Sequence, residues 1–204
     1  MRLLFAFPLL AFLSACQPQQ KPIGTSVELT PANTGNTTVN PYAPVDISPM
    51  DMSYWPVDYP KQRMASAVRS APMARVIYSR PHLQGRKLFN GILQYEQLWR
   101  LGANEATELQ LFQEASIEGQ RIKAGRYTLY CIPHPESWTF ILNGTTDIWG
   151  VKQEFSTDLA RFEVPVTNTG AGLEYFTMAF KEKKDKAELI VAWENWEARI
   201  QFTF

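Results

Sequence analysis

The chain has 204 residues with 20 basic and 20 acidic side chains, so its formal charge is zero. A neutral chain with scattered charges has no electrostatic footprint for nucleic acid. Two cysteines are too few for a disulfide framework. The sequence has no C-x-x-C pair, H-E-x-x-H pattern, P-loop, G-x-S-x-G elbow or dinucleotide fingerprint, so no metal and no cofactor is expected.

Residues 1–15 read as a secretory leader. Arg2 gives the basic n-region, and Leu3 to Leu13 give an apolar run interrupted by Pro8. That run falls short of the ~20 apolar residues a spanning helix needs. Leu13-Ser14-Ala15-Cys16 then resembles the lipobox of bacterial lipoproteins. The resemblance implies cleavage before Cys16 and acylation of its thiol by several chains such as palmitate. The protein would then be anchored through Cys16 to a membrane of the cell envelope, outside the cytoplasm. Gln17, rather than Asp, after the cysteine favours the outer membrane.

Residues 16–49 are rich in Pro, Thr, Asn and Gln, with isolated apolar positions. Such a stretch buries too little surface to offset its ordering entropy, and reads as a disordered tether. Residues 50–204 are long enough for one domain with a real core.

Within that domain, period-two alternation dominates from Arg75 onward. Strands are expected over 75–79, 107–112, 126–132 and 138–142, the last ending at the turn signal Asn143-Gly144. An edge strand is expected over 161–166 because it contains Pro165. Phe176, Met178 and Phe180 share one strand face. After the charged turn 183–186, Leu189, Val191 and Trp193 share another, and Ile200, Phe202 and Phe204 close the chain. Helical signal is thin: one turn or a short helix near Tyr95–Leu101, and a turn near Thr157 and Asp158. About eight short strands predict an all-β, antiparallel sandwich or barrel-like fold of jelly-roll type with few short helical turns. Cys131 alternates with Tyr127 and Leu129 and reads as a small buried core residue.

Several blocks together carry a family resemblance: Tyr78-Ser79-Arg80-Pro81, Gly85-Arg86, Trp99-Arg100-Leu101-Gly102-Ala103-Asn104-Glu105-Ala106-Thr107, Gly125-Arg126-Tyr127, Trp149-Gly150 and Trp193-Glu194. The chain resembles the family called domain of unknown function 2911 over nearly everything beyond the tether. Its relatives are typically secreted or lipid-anchored bacterial proteins, which implies the same address here. The chain departs from the family where relatives often read Pro-Tyr-Gly and this chain reads Gln94-Tyr95-Glu96-Gln97. It departs again at Leu101, where Thr is usual. The resemblance implies no activity.

Arg80, Arg86, Trp99, Arg100, Asn104 and Glu105 form the candidate ligand-binding set. Guanidiniums grip carboxylates and phosphates through a planar fork, and Trp99 would give a flat face for a ring. A structural ion-pair network of Arg86, Arg100, Glu105 and Glu108 would look the same in sequence, with Arg80 bonding only turn carbonyls before Pro81.

Three functions follow. The first is a non-catalytic, membrane-anchored binding module for a small anionic or sugar-like ligand. The second is an envelope glycan-directed hydrolase using Glu105 with Glu174, Asp158 or Glu194. The third is an envelope scaffold that binds other proteins. No catalytic residue is assigned.

Overall fold

The computed structural model describes residues 46–67, 70–184 and 186–204. The leader, Cys16 and most of the expected tether lie outside the described residues. The compact unit spans Val45–Phe204.

Short alternating runs become strands because one face of each can be buried while the other stays wet. Nine strands occur among the described residues: β1 (Met50–Trp55), β2 (Ala74–Ser79), β3 (Glu108–Leu111), β4 (Ala115–Ile117), β5 (Gln120–Ile122), β6 (Gly125–Pro133), β7 (Ser137–Asn143), β8 (Asp158–Lys183) and β9 (Lys186–Thr203). One short helix, α1 (Tyr59–Met64), and a 3-10 turn, Phe155–Thr157, complete the set. Every pairing is antiparallel, in the order β1-β2-β3-β6-β7-β8-β9-β4-β5. The fold is all-β, as the alternation predicts.

The two long strands fold this sheet over on itself. Asp158 to Pro165 of β8 pair with β7, whereas Val166 to Lys183 pair with β9. Pro165 therefore sits at the handover, in a segment with a ladder on one side only. There its missing N–H costs no ladder bond on the open side. The segments expected as separate strands at 161–166 and 176–180 are one strand, broken in register between Asn168 and Thr177.

The fold-over brings the β1–β2 edge against the second half of β8. The Phe180 N–H donates to Ser53 Oγ at 2.9 Å, and Arg80 Nε donates to the Phe176 carbonyl at 3.2 Å. His82 bridges Tyr175 directly. Among the described residues no ladder joins β1 to β8, so the sheet stays open.

The core lies between the two layers. Val76 and Tyr78 enter it from β2, Leu129 and Cys131 from β6, Trp138 and Phe140 from β7. Phe176, Met178 and Phe180 of β8 enter it beside Leu189, Val191 and Trp193 of the paired strand β9. Each buried side chain of this size contributes about 1.5–3 kcal/mol.

Three expectations need correction. Tyr95–Leu101 holds a turn at Tyr95–Glu96 and no helix; Trp99 there forms a β-bridge with Cys131. β7 ends at Asn143 as expected, but Asn143-Gly144 opens a loop over 144–157 before β8 rather than a tight turn. Asn143 is instead buried, accepting from the Thr145 N–H and donating to the Asp158 carboxylate. The one α-helix falls at Tyr59–Met64, where the alternation gave no signal. It buries no side chain, and so carries no apolar stripe to read.

Candidate functional site

The site grows from an excursion in the sheet. Trp99 and Cys131 exchange both backbone bonds, at 2.7 and 2.8 Å, which places Trp99 alongside β6 beyond the end of β3. Thr107 returns to the same strand, its carbonyl accepting from the Leu129 N–H. The chain between them leaves the sheet and is closed at its neck. The Thr107 N–H donates to the Arg100 carbonyl, and the Thr107 hydroxyl donates to the Leu101 carbonyl.

Glycine is required at two points of this construction. Gly102 has φ +153, and a Cβ there would lie 2.9 Å from the Ser79 carbonyl oxygen. Gly150 has φ +77, and a Cβ there would lie 2.5 Å from the Ala106 Cβ. Only glycine combines that backbone with so close an approach. Gly102 thus packs on the backbone of β2, and Gly150 lets the loop 144–157 close on the loop 100–107, where the Ala106 N–H donates to the Ile148 carbonyl at 3.1 Å.

Beside this contact lies a cavity of about 430 Å³, walled also by residues of the segment 81–98 and by Trp193. Trp99 and Trp193 line it, with ring centroids 5.9 Å apart. Trp99 is held further by Phe176 at 4.9 Å and by Trp138 at 6.2 Å. The aromatic floor is thus the top of the core, fixed in place by packing. Leu101 is fully buried and does not line the cavity, so the departure from the family's threonine lies beneath the pocket.

Three of the six candidate residues line this cavity: Arg86, Trp99 and Arg100. Arg86 is anchored by its own turn, Nε donating to the Leu83 carbonyl at 2.9 Å and Nη2 to the His82 carbonyl at 3.1 Å. Arg100 donates from Nη1 to the Trp149 carbonyl at 3.3 Å and lies 5.7 Å from the centre of the Trp149 ring. Neither guanidinium has a carboxylate partner among the described residues.

The other three stand elsewhere. Arg80 sews β2 to β8, with Nη1 on the Asp51 carboxylate at 3.1 Å and Nη2 on the Thr177 hydroxyl at 3.3 Å. Asn104 donates to the Asp46 carboxylate, which also accepts from the Ser48 N–H at 2.7 Å. It ties the entering chain to the loop, and Ser48 reaches the cavity wall. Glu105 is exposed and lines a separate hollow of about 260 Å³ with Glu108, Arg126 and Asp147.

In that hollow Arg126 bridges Glu108 at 2.6 Å and Asp147 at 2.7 Å. Its hydrogen bond holds the Asp147 carboxyl below the usual range, and the two acids raise the Arg126 guanidinium in turn. The ion-pair network expected around Arg86 and Arg100 is formed here by Arg126.

Two of the acids expected as partners of Glu105, Glu174 and Asp158, are engaged as well. Glu174 accepts from the Gln84 N–H at 2.8 Å. Burial raises the Asp158 carboxyl, but bonds from Arg161, Asn143 and Gln153 outweigh it and leave it below the ordinary value. Cys131 is fully buried, and burial pushes its thiol well up. His134 contacts Glu96 at 2.6 Å, and among the described residues no group of three or more metal-binding side chains occurs.

The sequence missed the apolar wall, made by Ile92, Leu93, Leu98 and Val151. These residues come from loops without alternation, so no periodic signal marked them. Trp149 and Gly150 were visible as a motif, but not as the rim on which Arg100 rests.

The family model described as "Protein of unknown function (DUF2911)" matches residues 60–202. Comparison with curated proteins and with solved structures finds no match.

Proposed function

This chain belongs to the DUF2911 family, and from that premise we propose that its domain is a non-catalytic binding module for a small anionic ligand. One observation carries the reading: Arg86 and Arg100 face a single aromatic-floored cavity, and neither is neutralised by a carboxylate among the described residues. A guanidinium beside aromatic and aliphatic side chains is a strong, geometrically specific anion donor. Its volume falls within the range of about 300–1,000 Å³ typical of ligand pockets.

The hydrolase reading lacks this support. Glu108 and Asp147, the acids sharing a hollow with Glu105, are both engaged by Arg126. The membrane address rests on Leu13-Ser14-Ala15-Cys16 alone. On that motif the module is held at the envelope, at the outer membrane, by lipid on Cys16. Intact-mass measurement of protein from its native host tests it: a start at Cys16 bearing acyl chains is expected, and an unprocessed or unacylated chain overturns it.

A thermal-shift panel of small carboxylates, phosphates and sugars tests the binding reading. A ligand at a hundred times its Kd adds about 2.7 kcal/mol. For a domain of this size that raises Tm by roughly 5–10 °C. Arg100→Ala should remove the shift. A panel without a hit, or a hit indifferent to Arg100→Ala, overturns the reading.

A further inference from the structure

The walls of the pocket say more about the ligand than its charge. At its charged positions the cavity offers donors only, the guanidiniums of Arg86 and Arg100, and no acidic side chain lines it. A guanidinium cannot accept a hydrogen bond. A cationic ligand is therefore repelled. A neutral polyol, which needs acceptors as well as donors, finds one side-chain hydroxyl, that of Ser48.

Beside these polar groups the wall carries a run of apolar side chains. Ile92, Leu93 and Leu98 stand on it with Val151, over Trp99 and Trp193. The apolar surface does not stop at the mouth. Val151 is 68% exposed and Trp149 54%, flanking the Gly150 that packs against the neighbouring loop. These side chains add nothing to the core, and large apolar groups left wet beside a pocket mark a contact surface.

We propose that the cavity binds an amphiphilic anion, a carboxylate or phosphate monoester head carrying a single apolar chain. The head sits on Arg86 and Arg100. The chain runs along Ile92, Leu93 and Leu98 and leaves past Val151. The inference rests on the pocket reading above and narrows it, setting sugar-like ligands aside. A cavity of about 430 Å³ lies low in the usual ~300–1,000 Å³ range, which suits one chain and not two.

The test is calorimetric titration of residues 16–204 carrying Cys16→Ser, which lack both the apolar leader and the acceptor for lipid. The probes are acetate, hexanoate, octanoate, decanoate, octyl phosphate, inorganic phosphate and octyl glucoside. Affinity should rise with chain length, by about fourfold for each methylene that is fully buried. Octyl glucoside, with the tail but no charge, should bind at least about tenfold more weakly than octyl phosphate, a gap of roughly one charge-assisted bond. Arg86→Gln and Arg100→Gln should each weaken octanoate. Val151→Asp, on an exposed position, should weaken it without changing Tm in the absence of ligand.

A second arm separates two sources of the same chemistry. Phosphatidic acid vesicles, whose head is a phosphate monoester, that bind the protein and release it on addition of octyl phosphate assign the head and one chain of a membrane lipid. Binding of the monomers alone assigns a carried free amphiphile. Both outcomes support the inference. Tight binding of chainless anions, with no gain from the alkyl chain, overturns it while leaving the anion site standing. Silence across every probe overturns both.

Discussion

Two basic regions of this domain treat charge in opposite ways. Around Glu188 the charges cancel one another. Its carboxylate is only 1% exposed, and it receives Lys183 at 2.7 Å and Arg199 at 3.2 Å, with Gln201 nearby at 3.4 Å. Glu197 takes the other side of Arg199 at 2.6 Å. At the pocket, Arg86 and Arg100 rest on carbonyls and a tryptophan face instead. A hollow of about 350 Å³ also adjoins Glu188, yet its cations are already matched by acids within it. The difference lies in what remains for a ligand: a compensated cluster has little potential left to offer, whereas two unmatched guanidiniums over an apolar wall have most of theirs.

The sharpest way to break this comparison is to unbalance the Glu188 cluster. Arg199→Ala leaves a buried carboxylate with Lys183 as its one remaining cation. Removing a partner from a fully buried pair costs about 3–5 kcal/mol; Arg199 is 38% exposed and Lys183 stays on Glu188, so the loss here should be smaller, about 1–2 kcal/mol. Urea unfolding should show it as a lower midpoint at unchanged slope. Ligand affinity at the pocket should not move. A stable Arg199→Ala protein would mean that the cluster is not the compensated unit its distances describe.

Acid should act on the same cluster. Burial raises the Glu188 carboxyl, but the bonds from Lys183 and Arg199 outweigh burial and leave it below its ordinary 4.5. The folded chain therefore takes up this proton later than the unfolded one as pH falls. The stabilisation is complete above 4.5 and is lost as pH drops through the lower, folded value. Asp147 and Asp158 act in the same direction from 3.8. Urea midpoints should fall steeply in this acid range, and Glu188→Gln should make the fall shallower. An unchanged slope would remove Glu188 from the account.

Arg100→Ala sharpens the contrast from the other side. The guanidinium bonds one carbonyl and stacks on one exposed ring. Its removal should cost less than about 1 kcal/mol of stability, as for a surface position. It should nonetheless abolish the anion-dependent rise in Tm. A large loss of stability with binding intact would assign Arg100 to the fold.

The sequence foretold the sheet better than the site, and for a physical reason. Period two is a local property, so Phe176, Met178 and Phe180 announce their buried face without knowledge of the partner. The continuity of β8 through residues 158–183 was hidden because glycines at 170 and 172, both at positive φ, interrupt the pattern as a turn would. Of the candidate set, Arg86, Trp99 and Arg100 converge on the cavity, whereas Arg80 and Asn104 hold the surrounding chain and Glu105 faces another hollow. No spacing rule separates these roles, because each depends on a partner far away in sequence, such as Phe176 for Arg80. The family departures are similarly opaque. Glu96 stands where the resemblance expects glycine, keeps the positive φ of 62 that glycine favours, and is paired with His134.

The smallest effect is expected at Trp149, and it tests how the free guanidinium is aimed. Arg100 lies over this ring at 5.7 Å and bonds its backbone carbonyl at 3.3 Å. Exposed cation–π contacts contribute about 0.5–1 kcal/mol. Trp149→Ala should therefore leave global stability nearly unchanged, since the side chain is 54% exposed and outside the core. Anion affinity should fall by about two- to fivefold, the equivalent of that contact, because Arg100 must then be ordered by the ligand itself. Trp149→Phe, which keeps a ring face, should recover most of the loss. Because the backbone carbonyl survives both changes, a difference between them isolates the ring. Equal affinities for the two variants would show that the carbonyl alone positions Arg100, and that the exposed tryptophan serves the apolar rim rather than the charge.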